Sequence, residues 1–252
     1  MTQENVLHNR VVLITGAARR VGAAIARELH RHGARVALHY HTSTAQALAL
    51  AETLNAGRPD SARTFMADLR DTARLPALVA EVAAWGALYG LVNCASSFYA
   101  TPLGRVDEAA WSDLIGSNLK GPLFLSQAAA THLTASGGAI VNITDIHAVR
   151  PLPGYPVYSA AKGGLATLTR ALALELAPRV RVNAVAPGAI QWPEDGSAYD
   201  AEARARILAH TPLGRVGDPT DIARTVRFLL ADAPYITGET INVDGGRSAL
   251  LM

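Results

Sequence analysis

Tyr158 and Lys162 lie four residues apart in GYPVYSAAKGG, where the pattern turns helical, so both side chains project from one face. A phenol with a pKa of about 10 is a poor acid at neutral pH, but an adjacent ammonium stabilises the phenolate and makes proton exchange practicable. By itself such a pair is equally a surface feature of a helix, and its meaning depends on what the chain places beside it. A second chemical stretch, TGAARRVG (Thr15 to Gly22), follows the apolar run VVLI and leads into AAIARELHRHG. Backbone N–H groups between Gly16 and Gly22, at the positive end of the helix that follows, suit a pyrophosphate. Arg20 stands where a dinucleotide-binding turn usually carries its middle glycine.

These residues need a frame. Short β-branched runs at 11–15, 35–40, 91–96, 139–144, 181–187 and 241–246, with a further strand ending at ADLRD (67–71), alternate with helix-periodic segments at 20–32, 43–55, 72–85, 108–133, 155–176 and 219–231. The alternation predicts an α/β fold, a single Rossmann-type doubly wound parallel sheet with helices on both faces, with 1–252 as one domain. No repeat, low-complexity tract or linker divides it. AIQWPEDGSAYD (189–200) is rich in turn formers and follows a strand end, which marks a substrate loop at about 189–210.

In such a sheet ligands bind at the carboxyl ends of the strands. After the second strand an NAD site commonly offers a carboxylate to the ribose, whereas LHYHTS (Leu38 to Ser43) has none, which points to NADP(H). His41, Thr42 and Ser43 can donate to a 2′-phosphate; Ser43 would also serve as a helix N-cap. Asp68 and Leu69 are candidates for the adenine edge, Asp68 being equally suited to a turn.

Of 252 residues half are hydrophobic, enough for a sizeable core, and 23 Lys and Arg against 21 Asp and Glu are scattered. No basic tract suggests a nucleic-acid partner, and no apolar stretch approaches the roughly 20 residues of a membrane span. Met1 to Arg10 lacks a signal-peptide core. With one cysteine, Cys94, read as a small packing residue, the expectation is a cytoplasmic protein with no metal site.

Taken in order, TGAARRVG, Asp68, NCAS (93–96), Asn118 in IGSNLKG, YSAAK (158–162), NAVAPG (183–188) and ITGETINVDGG (236–246) resemble the short-chain dehydrogenase/reductase superfamily over essentially the whole chain. The resemblance implies Tyr158 as proton donor, Lys162 as the residue that lowers its pKa and binds the nicotinamide ribose, and Asn118 as support for a relay water. It places Asn93, Cys94, Ala95, Pro187 and Gly188 on the nicotinamide side. Arg19, Arg20, Val21, His39, Tyr40, Ser96, Thr144 and Ile190 complete the cofactor set with the residues above. It also implies a homo-oligomer, a tetramer by preference, with the closing SALLM suited to an interface.

One position departs from the superfamily. Most members carry a serine thirteen residues before the tyrosine, and this chain has Asp145, which cannot donate to a carbonyl unless protonated. With TGAARR, HYHTS and SSFY, Asp145 is similar to the pteridine reductase branch. That likeness implies Arg20 and Ser96 contacting cofactor phosphate and pterin, Phe98 stacking on the pterin, and Asp145, Tyr158 and Lys162 as the active triad. Tyr155, one turn before Tyr158, is placed to hydrogen-bond the heterocycle; packing for Phe98, surface exposure for Tyr155, and helix capping for Asp145 are the plainer readings. Thr42 replaces the arginine that often follows HYH. The expected activity is NADPH-dependent reduction of a pterin or dihydropterin C=N bond, against carbonyl reduction of a ketone, sugar or acyl substrate, or a nucleotide sensor without turnover.

Overall fold

The apolar runs fold as strands because residues alternate between two covered faces. In the computed structural model, which describes residues 6–192 and 200–250, Val12 and Ile14 point into one buried cluster while Val11 and Leu13 point into the other. Seven strands form one parallel sheet: β1 (Val11–Ile14), β2 (Arg35–Tyr40), β3 (Ala62–Met66), β4 (Leu88–Asn93), β5 (Ala139–Ile143), β6 (Arg181–Pro187) and β7 (Thr240–Val243), in the order β3-β2-β1-β4-β5-β6-β7. The order reverses direction beside β1, between β2 and β4. A crevice therefore opens at the carboxyl ends there, as the doubly wound pattern requires.

Helices α1 (Arg20–Arg31), α2 (Thr44–Gly57) and α8 (Pro219–Ala231) cover the face that buries Val12 and Ile14. The opposite face carries α3 (Leu75–Trp85), α5 (Gly121–Ser136) and α6 (Pro156–Leu176). Proline at the first position of α6 and α8 costs no hydrogen bond, since that N–H has no partner inside a helix. Asp218 and Asp221 add a reciprocal capping box to α8.

Several expected boundaries move. The helix expected over 108–133 is α4 (Glu108–Ile115), a π-helical turn (Gly116–Lys120) and α5. Gly116 and Gly121 let this bulge close on Arg70 and Leu69, because a Cβ at either would meet those side chains at 3.1 and 3.0 Å. β4 begins three residues before the expected run and ends at Asn93. The segment expected as a loop over 189–210 includes α7 (Ala201–Ala209), capped by Asp200 through the Ala203 N–H; residues 193–199 lie outside the described part. Among the described residues no helix is long and apolar enough to cross a membrane.

Candidate active site

The crevice is a cleft of about 660 Å³ floored by the glycine turn, the ends of β2 to β5 and the start of α6. Gly16 has a φ of +64°, and a Cβ there would lie 2.9 Å from Ala95 Cα, so the turn needs glycine both for its backbone and for its contact with β4. A Cβ at Gly22 would meet the Gly16 carbonyl at 2.1 Å. Thr15 knits the same corner together: its hydroxyl accepts from the Cys94 and Ala95 N–H groups at 2.9 and 3.0 Å.

The first turn of α1 carries no acidic residue, and Arg19 at its N-cap makes no capping hydrogen bond. The exposed amide end therefore suits an anion, and Gly16, Arg19, Arg20, Val21 and Gly22 all line the cleft. Arg20 sits in the left-handed region (φ 49°) and spans the mouth, its Nη2 donating to the Gln191 carbonyl at 3.0 Å. Tyr40, His41, Thr42 and Ser43 line the far end; Ser43 precedes α2 without a side-chain capping bond, so its hydroxyl is not spent there.

Asp68 and Leu69 reach this end as well, but Asp68 is not an isolated acceptor. Arg70 grips both its oxygens, at 3.0 and 2.8 Å, and reaches across to Asp113 on α4 at 2.9 Å. The hydrogen bond from Arg70 holds the Asp68 carboxyl down at about 2, and His41 Nε2 stands 3.9 Å from it. Sequence reading missed Arg70, Ser97, Asp113 and Ser117, all of which line the cleft. Arg70 carried a signal, lying two residues after Asp68 in ADLRD; Asp113 and Ser117 come from a helix that only the folded chain brings near.

At the chemical end the Tyr158 hydroxyl donates to Asp145 Oδ2 at 2.7 Å. The other oxygen, Oδ1, accepts from the His147 N–H at 2.8 Å, so Asp145 also caps the short 3₁₀ turn Ile146–Ala148. The capping role, the plainer reading in the sequence, is thus present, and it uses the oxygen that does not face Tyr158. Lys162, one turn along α6, is buried and donates to the Ile143 carbonyl at 2.9 Å, with its ammonium 5.7 Å from the Tyr158 ring centre. Burial pushes Lys162 down to about 8, opposed by the Asp145 charge. Burial drives the Cys94 thiol up to about 11, opposed by Lys162, so it is a packing group rather than a nucleophile at neutral pH.

Ala95, Ser96, Thr144 and Pro187 border this end, although the Thr144 hydroxyl is occupied by the Val185 carbonyl at 3.0 Å. Phe98 remains 44% exposed and lies edge-on to Tyr158, with ring centres 4.8 Å apart. Its face stacks on Tyr155 at 4.8 Å and 12°. Tyr155 therefore backs Phe98 and does not line the cleft, in contrast to the expected contact with a heterocycle.

Four further expected residues do not line the cleft. Asn93, the last residue of β4, is buried and donates to Asn142 Oδ1 at 2.8 Å, part of an internal chain that continues to Thr169. Asn118 is fully buried on the π-helical turn, where Oδ1 accepts from the Ser96 hydroxyl at 2.6 Å and Nδ2 donates to the Ser97 and Leu114 carbonyls at 2.9 and 3.0 Å. Its side chain thus holds the 96–97 strip in place. Gly188 donates to the Val243 carbonyl at 3.0 Å, and a Cβ there would strike Asp244. Ile190 bridges to Gly217 and borders a separate hollow of about 550 Å³.

A family model described as enoyl-(acyl carrier protein) reductase matches residues 16–248. Pteridine reductase 1 of Leishmania tarentolae is 40% identical, over 94% of this chain and 96% of its own. A 3-oxoacyl-[acyl-carrier-protein] reductase, FabG, of Staphylococcus aureus is also 40% identical, over 93% and 96%. An uncharacterized oxidoreductase of Methylorubrum extorquens is 38% identical, over 95% and 98%.

Proposed function

Because the chain belongs to the short-chain dehydrogenase/reductase superfamily of oxidoreductases, we propose that it is an NADPH-dependent reductase of a pterin or dihydropterin C=N bond. The observation that carries this reading is the 2.7 Å bond from Tyr158 to Asp145. A carboxylate beside the acid group accepts a hydrogen bond from a ring N–H or amino group, which a pterin has and a plain ketone lacks. The likeness to a pteridine reductase supports the same substrate.

The turn, the α1 amides, His41, Thr42 and Ser43 would hold the dinucleotide, with the hydroxyls and imidazole directed to its 2′-phosphate. Bound there, the reduced nicotinamide supplies the hydride. Tyr158 gives its proton to the substrate nitrogen, and the nearby Lys162 ammonium stabilises the phenolate left behind. Asp145 orients the phenol and offsets the charge of Lys162. Phe98 and Ser96 bound the place of a flat ring, and Arg20, swinging from Gln191, would reach both a phosphate and the heterocycle.

A second reading, reduction of a ketone such as a 3-oxoacyl thioester, is favoured by the FabG relatives. A panel of dihydrobiopterin, dihydrofolate and 3-oxoacyl substrates, assayed by NADPH oxidation, separates the two. Pterin turnover well above ketone turnover is expected; the reverse rejects the pterin assignment. We further take the protein to act in the cytoplasm as a homotetramer, with exposed Trp111 and Phe124 on α4 and α5 as candidate contacts.

A further inference from the structure

The resemblance puts His39 among the cofactor residues, and His39 borders the cleft, but it is almost wholly buried and its ring points to other partners. The ring is 2% exposed, and each nitrogen has a partner. Nδ1 accepts from the Gly16 N–H at 3.3 Å, so the ring proton resides on Nε2, which faces the Ala67 carbonyl at 3.1 Å. The His39 carbonyl takes the next amide of the turn, from Ala17, at 2.9 Å. One residue of β2 thus pins two successive amides of the glycine turn and ties them to the segment that follows β3.

The consequence bears on where an anion can sit. A buried N–H already paired is a poor donor to a ligand, because recruiting it would orphan the imidazole nitrogen beneath. Gly16 and Ala17 are spent in this way, whereas the cap of α1 leaves the amides of Val21 and Gly22 at the helix start. Gly16 is also in a left-handed conformation that the chain must hold before any ligand arrives.

We propose that His39 is a positioning residue which, without contacting the dinucleotide, fixes the glycine turn in its open shape and directs the pyrophosphate to the amides of Val21 and Gly22. This rests on the assignment of the cleft to a dinucleotide. Burial holds the imidazole neutral, down at about 4, in agreement with a ring that must accept at Nδ1.

The test uses the full chain, NADP⁺ titrations by calorimetry, thermal unfolding without ligand, and the variants His39→Leu and His39→Asn. Asn places an acceptor oxygen near the position of Nδ1, and Leu does not. The Leu variant is expected to weaken NADP⁺ binding about tenfold, the usual worth of one lost positioning bond, with the Asn variant recovering most of it. Substrate KM should change little in both. Equal affinities for wild type and Leu, or equal losses for Leu and Asn, overturn the proposal. Should the Leu variant fail to fold, nitrogen NMR of the wild type decides. The Nδ1 resonance keeps the shift of an unprotonated acceptor when NADP⁺ saturates if His39 holds the turn, and changes if Gly16 transfers its bond to phosphate. Absence of NADP⁺ and NAD⁺ binding by wild type would instead reject the dinucleotide assignment.

Discussion

Replacing Asp145 by Asn removes one charge and keeps the shape, which makes it a sharp probe of the proposed chemistry. The Oδ1 position must still accept from the His147 N–H, so the new amide nitrogen takes the place of Oδ2 and faces the Tyr158 oxygen. Tyr158 then loses a charged acceptor and must itself accept. A hydrogen bond to a charged group contributes about 1.5–3 kcal/mol, which corresponds to roughly 10- to 150-fold in kcat/KM for dihydropterin. The cap is conserved because Asn and Asp cap helices about equally well, so the thermal midpoint should move little. The same change removes the charge that opposes the lowering of Lys162, and the alkaline limb of the pH profile should move to lower pH. Steady-state NADPH oxidation across pH 6–10 measures both effects. Wild-type kcat/KM with dihydropterin in the Asn variant would refute the role of the carboxylate. The companion Asp145→Ser should lower pterin turnover while raising turnover of a 3-oxoacyl substrate, since a hydroxyl can donate to a carbonyl.

The other predictions follow from the same geometry. Tyr158→Phe should cut turnover by about 10²- to 10⁴-fold with NADP⁺ affinity retained, and unchanged turnover would remove Tyr158 from the reaction. Wild-type kcat/KM should fall above pH 8 as Lys162 loses its proton, a limb that residual activity of Lys162→Met should lack. In stability the sign is opposite. The folded chain releases this proton at about 8 and the unfolded chain at 10.5, so the unfolded state binds more protons between these values and Lys162 destabilises less as pH rises across that window. Urea unfolding should show the advantage of Lys162→Met at pH 7.5 shrinking by pH 10. Arg20→Gly should weaken pterin binding more than NADP⁺ binding, and the reverse order would place Arg20 on the nucleotide alone. NADPH should have a much higher specificity constant than NADH; parity would overturn the reading of HYHTS.

Much of the frame is legible in the sequence because buried parallel strands are written as apolar runs. β2 and β6 have the expected bounds for that reason. β4 starts before its recognisable run because Leu88, Tyr89 and Gly90 are not β-branched, though all three are buried in the strand. The cofactor role of Asn93 comes from the family resemblance and not from periodicity, and the folded strand ends on Asn93 with its side chain bonded inward to Asn142. The π-helical turn escaped notice for a different reason: one extra residue hardly disturbs helical periodicity, and only Gly116, Gly121 and Pro122 hinted at it.

The site was legible where chemistry is local and opaque where it depends on depth. Tyr158 and Lys162 follow from a spacing of four on one helix, and their burial from the face shared with Leu165 and Thr169. Asp145 is placed beside Tyr158 in the sequence only by the family resemblance, since the bond between them joins the end of β5 to α6 and no periodicity relates the two. His39 and His41 show the limit best. They stand two residues apart at the end of β2 and both border the cleft, yet His39 is buried with its ring between the Gly16 N–H and the Ala67 carbonyl, whereas His41 follows the strand and is exposed. What separates the two is the glycine turn after β1, whose Gly16 and Ala17 amides bond to the His39 ring and carbonyl; on the proposal above, that contact makes His39 the support on which the ligand surface rests.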